Sequence, residues 1–570
     1  MHHEYLYMAG GGLVISILAL AFSRRTGVAA PLLLLALGVL ASFIPGIPAV
    51  HVSPELILTG VLPPLLYASA VNLPVIDVRR NFAMITWLAM VLVVVGALLV
   101  GIVVHLVFGI PLALGVALGA VVSPTDAVAA TAIGRRLGLP PRVMSILEGE
   151  SLVNDASALV VLRSALAAAS VGTFSLGGAV LDFGWAVAGA ILVGLAAGWL
   201  TVLVRQRLAD PVLNTAISFV VPFVAFMPAE EIGASGVLSV VVAGLVTGHE
   251  ASRRFTARDR QMEHTNWMTI SFLLENAVFL VMGFELMDII DAAREESSDL
   301  RIVSLVAVVF GLLVVIRFVG VAGPLLMDRR LRSDRTSRRR ERIKTVKQRL
   351  DEFDPATTRE MERLDKARHY VRRHSADVAF ALREPLTGRS GLVLAWSGMR
   401  GVVTLAAVQT IPVDADHRNT LVVVAVLVAV VSLMLFGLTL PPMIRRLDLQ
   451  STDPAEKQGD FFALMKQMAA ATTEQLGPME DLEIAGERID PELAESLKHR
   501  FMPILLGHIQ HLRTSKPGAR EQSLLVQRLY LDTMREALLV ERSIGAYTSE
   551  TYRSAEALLD REEQRLNAGI

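Results

Sequence analysis

Five acidic residues stand inside long apolar runs of this 570-residue chain: Asp126, Glu148, Glu150, Asp155 and Glu275. A charge inside a lipid-spanning helix is costly unless it is paired or solvated, so each acid is a candidate site by default. Four of the five crowd into residues 126–155, which singles out that stretch. Its first half reads Ser123-Pro124-Thr125-Asp126 in mid-segment. Proline there removes a helical hydrogen bond and clashes with the preceding turn. Backbone freed in this way is tolerated in a membrane only where it lines a cavity or packs in protein. Carbonyls beside a hydroxyl and a carboxylate make hard oxygen ligands, suited to a small alkali cation. The competing reading is a plain kink capped by Ser123 and Thr125.

The second half reads Glu148-Gly149-Glu150-Ser151-Leu152-Val153-Asn154-Asp155. On a helix, Ser151 and Asp155 stand one turn apart on one face, and Glu150 with Asn154 forms an adjacent column. So broad a polar stripe has to face protein or water. One carboxylate that holds either a proton or a cation, but not both well, couples their movement without covalent chemistry. A second broken helix is expected at Trp396-Ser397-Gly398-Met399-Arg400-Gly401, where two glycines flank an arginine. Arginine keeps its proton and needs an acid partner, for which Glu150 is the expected choice. That pair is open to two readings, a fixed clamp or a transport group. His105 reads as a packed or interfacial histidine, Arg163 as an arginine that snorkels from the outer half of its helix, and Arg317 as a brace of the bundle. Glu275 stands between a packed polar contact and a pathway residue.

The elements that carry these residues are membrane helices. The chain is 53% hydrophobic with a mean hydropathy of +0.51, beyond ordinary soluble composition. About thirteen apolar segments are long enough to cross a bilayer as helices. Their approximate cores are 8–23, 28–44, 54–71, 82–108, 111–133, 144–171, 178–204, 212–229, 232–249, 268–288, 302–327, 389–412 and 419–444. The fold class is therefore all-α and polytopic. Alternate loops carry the basic pairs Arg24-Arg25, Arg79-Arg80, Arg135-Arg136, Arg253-Arg254 and Arg445-Arg446, whereas the opposite loops carry little beyond Arg294, Arg301 and Arg418. The bias puts the basic loops in the cytoplasm, the N-terminus outside and the C-terminus inside. With no Lys or Arg in Met1–Met8, the first apolar run reads as a retained helix and not a signal peptide.

A charged insert at 328–388 and a tail at 450–570 read as cytoplasmic. The insert is either a solvated helical hairpin or, through its basic start, a contact to anionic head groups. In the tail, apolar positions such as Leu529, Met534 and Leu538 recur at helical spacing between charges, which predicts a small helical domain. The net charge of −1 gives no footprint for nucleic acid. The absence of cysteine excludes disulfides, thiolate metal sites and cysteine catalysis, and no cofactor is implied.

The two broken segments are the middle members of two triplets, spans 4–5–6 and 11–12–13, which the basic loops assign opposite topology. Inverted repeats with paired broken helices are a secondary-transporter architecture. At this point Leu62-Pro63-Pro64-Leu65-Leu66-Tyr67, Ser123-Pro124-Thr125-Asp126, Gly149 to Asp155 and Gly398-Met399-Arg400-Gly401 are together similar to the signature segments of the cation:proton antiporter family that includes the sodium/hydrogen exchangers. The resemblance covers about residues 8–446. It implies a domain at 1–446, with core helices at about 82–171 and 302–444 moving against a dimerisation scaffold, and hence a homodimer in the plasma membrane. It implies a sodium and proton site at Asp155, with Asp126, Thr125, Ser151 and Asn154 beside it, and a structural pair of Glu150 with Arg400. Asn154 before Asp155 goes, in that family, with electroneutral exchange. Where some relatives carry an acid after the double proline, this chain has Ala68, so no site role is expected there. Potassium or lithium are alternative cargoes. A channel or sensor on the same fold is the rival class, and an intramembrane enzyme lacks the metal-binding histidine pair or proton relay it would need.

Overall fold

The computed structural model describes residues 2–26, 30–44, 53–171, 176–208, 210–353, 357–449, 454–477, 482–484, 487–488 and 519–568. Apart from a two-residue antiparallel hairpin pairing Glu483–Ile484 with Glu487–Arg488, the described elements are helical. In chain order they are α1 (His2–Thr26), α2 (Ala30–Ser42), α3 (Leu62–Asn72), α4 (Val75–Thr86), α5 (Leu92–Phe108), α6 (Leu112–Val122), α7 (Val128–Leu137), α8 (Pro141–Val171), α9 (Leu176–Arg205) and α10 (Pro211–Glu231). There follow α11 (Gly236–Arg254), α12 (Ala257–Glu296), α13 (Asp299–Asp351), α14 (Thr358–Arg383), α15 (Gly388–Trp396), α16 (Val402–Val408), α17 (Arg418–Leu447), α18 (Pro454–Leu476), α19 (Ala519–Ile544) and α20 (Ser549–Ala568). Where the residues are described, the expected segments lie over these helices or over pairs of half-helices, with π-helical turns at Leu56–Val61 and Trp87–Val91 filling part of 54–71 and of 82–108. Seven helices are long and apolar enough to cross a membrane, and shorter apolar helices accompany them.

The chain divides into two compact units. The first comprises residues 1–254, 261–330 and 386–451. Within it, α4, α5, α6 and α8 pack on one another, with α7, α15, α16 and α17 joined to them. Another group is α3, α9, α10 and α11. Small residues let the backbones approach in both groups, as is usual where lipid supplies no hydrophobic drive between helices. A methyl at Gly194 would stand 2.5 Å from the Ser239 carbonyl of α11, and one at Gly119 would stand 2.5 Å from the Ala97 carbonyl of α5. The second group is pinned by a buried pair in which Arg205 grips Glu263 with two hydrogen bonds, of 2.9 and 2.7 Å, and donates a third to Asn214 at 2.6 Å. Neither side chain of the pair reaches solvent appreciably, so both charges depend on each other for compensation.

The second unit comprises residues 255–260, 331–385 and 452–570. The charged insert and the tail therefore fold together. Leu464, Met465, Met468, Met534, Leu538 and Leu559 form their core, drawn from α18, α19 and α20. The insert's α14 begins with a capping box between Thr357 and Glu360 and lies against α19. Arg372 of α14 reaches Glu541 at 2.8 Å, and His369 reaches Ser543 at 3.1 Å. The tail stretch 489–518 lies outside the described residues.

Candidate functional site

Two helices of the first unit are broken where the sequence places proline or glycine. Helix α6 stops at Val122 and α7 starts at Val128, leaving Ser123–Ala127 outside any helix across the gap. Helix α15 stops at Trp396 and α16 starts at Val402. The breaks meet. The Asp126 N–H donates to the Met399 carbonyl at 2.7 Å, so one interruption satisfies the backbone of the other. Gly401 lies flat against Asp126, and a methyl built there would stand 2.5 Å from the Asp126 Cγ and closer still to its carboxylate oxygen. Only a residue without Cβ allows the two breaks this separation.

Helix α8 supplies the third wall. Asn154, buried, donates from Nδ2 to the Thr125 carbonyl at 2.9 Å and to Thr125 Oγ1 at 3.1 Å. The Thr125 hydroxyl in turn donates to Glu150 at 2.8 Å. Ser151 Oγ accepts from the Ala127 N–H at 3.3 Å, and Asp126 Oδ1 accepts from the Val128 N–H at 2.8 Å at the start of α7. One turn beyond Ser151, Asp155 is 7% exposed, and no described residue hydrogen-bonds or ion-pairs with its carboxyl. The arrangement sorts the expected residues. Thr125, Asn154 and Glu150 hold each other and fix the break against α8. Asp126 and Ser151 each keep only a backbone contact, and Asp155 keeps none, so these three retain oxygen capacity for a cation or a proton.

The expected Glu150–Arg400 pair is not formed. Glu150 is gripped at both oxygens by Arg317 of α13, through Nη1 to Oε1 and through Nη2 to Oε2 at 2.9 Å, and Arg317 also donates to the Leu394 carbonyl at 3.0 Å. Both charged groups are almost wholly buried. Arg400 instead puts its guanidinium on carbonyls, reaching Val122 O through Nε at 2.9 Å and Gly398 O through Nη1, while its N–H donates to Ser432 at 3.1 Å. The physical reason lies at the helix ends. Val122 closes α6 and Gly398 follows α15, and orphan carbonyls with the negative end of a helix dipole attract a cation at both places. Arg400 thus clips two half-helices, and Arg317 takes the acid. A cavity of about 20 Å³, room for about one water, lies between Ser123, Glu150, Arg317 and Arg400.

The remaining acids and bases are local. His105 Nδ1 contacts the Ile110 carbonyl at 2.8 Å, Arg163 pairs with Glu230 at 2.6 Å near the surface, and Arg135 pairs with Glu148 at 2.6 Å. Glu275 of α12 is half-buried, with no hydrogen bond or ion pair among the described residues. Ser432 was not foreseen, because a serine in an apolar run carries no charge to mark it. Among the described residues no group of three or more His, Cys, Asp or Glu is arranged to hold a metal ion.

Three kinds of comparison bear on this geometry. The family profile described as sodium/hydrogen exchanger, transmembrane, matches residues 12–446. An uncharacterized Na(+)/H(+) exchanger of Mycobacterium tuberculosis is 27% identical over 556 residues, covering 95% of this chain and 93% of the relative. A sodium, potassium, lithium and rubidium/H(+) antiporter of Bacillus subtilis is 32% identical over 301 residues, covering 51% of this chain and 45% of the relative. The structure of the sodium proton antiporter MjNhaP1 from Methanocaldococcus jannaschii at pH 8 is similar in fold, with a TM-score of 0.55 and 16% identity over 78% of this chain and 98% of that one.

Proposed function

We propose that this chain, which belongs to the sodium/hydrogen exchanger family and is a cation/proton antiporter and not an enzyme, exchanges sodium for protons across the plasma membrane at the carboxylate of Asp155. The observation that carries this reading is the contrast within α8: Glu150 is fully compensated by Arg317 and Thr125, whereas Asp155, one face away, has no partner. A buried carboxylate without a partner is stable with a proton or with a cation bound, and costly with neither. If only the two occupied forms reorient across the membrane, each turnover carries one or the other, and the proton gradient drives sodium out. Asp126 and Ser151 supply further oxygen ligands. Thr125 and Asn154 position the break, and Arg400 holds the half-helices in register.

In this reading the cycle is electroneutral, one proton for one sodium, because Asn154 contributes no charge beside Asp155. The unit works by alternating access in a homodimer, with the N-terminus outside and the C-terminus in the cytoplasm. Potassium or lithium is the second reading, favoured by the name of the Bacillus subtilis relative. Competition fixes the sign of the pH effect. Below the pH at which the site gives up its proton, the apparent KM for sodium rises about ten-fold for each pH unit lost. Current recorded from proteoliposomes on a solid-supported membrane tests the stoichiometry. Sodium-driven proton flux with no net charge movement is expected, and a sustained sodium-evoked current overturns the one-for-one cycle.

A further inference from the structure

We propose that the first unit carries a binding site for the head group of an anionic phospholipid between the C-terminal ends of α7 and α17, with Arg136 and Arg445 as its phosphate ligands. These helices pack side by side and both end at the side that the basic loops assign to the cytoplasm. A pocket of about 380 Å³ opens between their ends, lined by Arg136, Leu137, Ile444, Arg445 and Asp448. Both arginines are exposed, and among the described residues neither guanidinium has a hydrogen bond or an ion pair. The neighbour of Arg136 is employed, since Arg135 pairs with Glu148 at 2.6 Å. The ordinary task of a basic residue in a last turn is to sit on the terminal carbonyls. At α17 that task falls to Arg389, whose Nη1 donates to the Leu447 carbonyl at 3.3 Å. Arg445 is left to face the pocket.

Two guanidiniums and one carboxylate give the pocket a formal net charge of about +1. That charge suits a phosphodiester, which carries one negative charge, and guanidinium matches its paired oxygens. What selects a lipid over a free phosphate is the surface of α17. Val431, Met434, Leu435 and Leu438 are exposed, and the same spacing continues through Pro442 to Arg445. Steps of three and four residues keep these positions on one helix face. An apolar track for acyl chains therefore ends at the basic pocket, where a head group of the same molecule would lie. Basic pockets between helices at this level of a membrane are places where anionic head groups are held. The site stands on the element ends and does not depend on which cation is carried.

The test uses the purified full-length protein in uncharged detergent, titrated separately with phosphatidylglycerol, phosphatidylcholine and inorganic phosphate while thermal unfolding is followed. Phosphatidylglycerol is expected to raise the midpoint, and the other two are not. Arg136→Gln and Arg445→Gln should each raise the half-saturating phosphatidylglycerol concentration about five-fold, and together about twenty-five-fold. Arg446→Gln, one residue along and outside the pocket lining, should shift it less than about two-fold. The double replacement by lysine should retain most of the response, because it keeps the charge. If the double glutamine variant is poorly folded without lipid, the two single variants give the same reading. An unchanged phosphatidylglycerol response in the glutamine variants overturns the site. Equal stabilisation by phosphatidylcholine means a lipid belt only, and saturation by inorganic phosphate alone means an anion site without a lipid. Either result overturns the proposal as well.

Discussion

Glu150 is the residue at which the polar centre is tied together, since Thr125 and both arms of Arg317 converge on it. Removing its charge leaves the Arg317 guanidinium buried without a counter-charge, a change that costs about 3–5 kcal/mol. Glu150→Gln is therefore expected to lower the unfolding midpoint of the purified protein sharply, and Arg317→Met to do so by a similar amount. In a double-mutant cycle the Glu150 and Arg317 changes should couple strongly, and the Glu150 and Arg400 changes, which share a cavity but no bond, should couple more weakly. Strong coupling only to Arg400 would contradict the pairing described above. This is also where sequence reasoning reached its limit. It recognised Glu150, Arg317 and Arg400 as three expensive residues, and it matched the acid to the arginine flanked by glycines. Which of two arginines meets an acid depends on how three helices are rotated about their axes. Spacing along one helix does not carry that information. The carbonyls that hold Arg400 belong to helix ends, and these acquire their attraction only once the breaks exist.

At the scale of elements, both breaks were legible because their causes are local. Pro124 cannot continue a helix, and Gly398 with Gly401 leaves one without support. What the residues did not reveal is the contact between the breaks, the bond from Asp126 N–H to the Met399 carbonyl. Gly401 reads in sequence as a helix breaker, yet its sharper duty is to leave room for the Asp126 carboxyl. A methyl at Gly401 forces the two breaks apart. A methyl at Gly398 meets nothing nearer than the end of the Arg400 side chain at 3.3 Å, with its other neighbours at ordinary contact distance of 3.6 Å. Gly401→Ala is accordingly expected to reduce sodium-dependent proton flux at least ten-fold with the protein still present in the membrane, and Gly398→Ala to reduce it much less. Flux measured in vesicles, normalised to protein by immunoblot, decides this. Equal tolerance of both substitutions would show that the crossing does not need its present closeness.

For the whole molecule, the family-level architecture followed from hydropathy, charge alternation and motif spacing, while the joining of insert and tail did not. The sequence shows two charged regions far apart, and nothing in either names the other. In the structure α14 buries Leu364 and Val371, and it is tied to α19 through Arg372 and His369. The same unit takes in the head of α12, where Arg260 meets Asp560 and lies 3.5 Å from Glu556. A chain ended after residue 451 thus loses the partner of α14. Trypsin is expected to cut at the basic residues of 358–383 at least ten-fold faster in that truncated protein than in the full chain. Equal protection would show that α14 is stable without the tail.

Turnover is also a property of the whole molecule, and the account rests on Asp155 being the carboxylate that proton and sodium share. Everted membrane vesicles energised to a proton gradient, with a pH-sensitive dye reporting its dissipation, test that claim most directly. Addition of sodium should collapse the gradient with the native chain. Asp155→Asn, which keeps the size of the side chain and removes its charge, should abolish the response at every sodium concentration and pH. Sodium-driven dissipation that survives in Asp155→Asn would contradict the account, because proton and cation would then meet at another group.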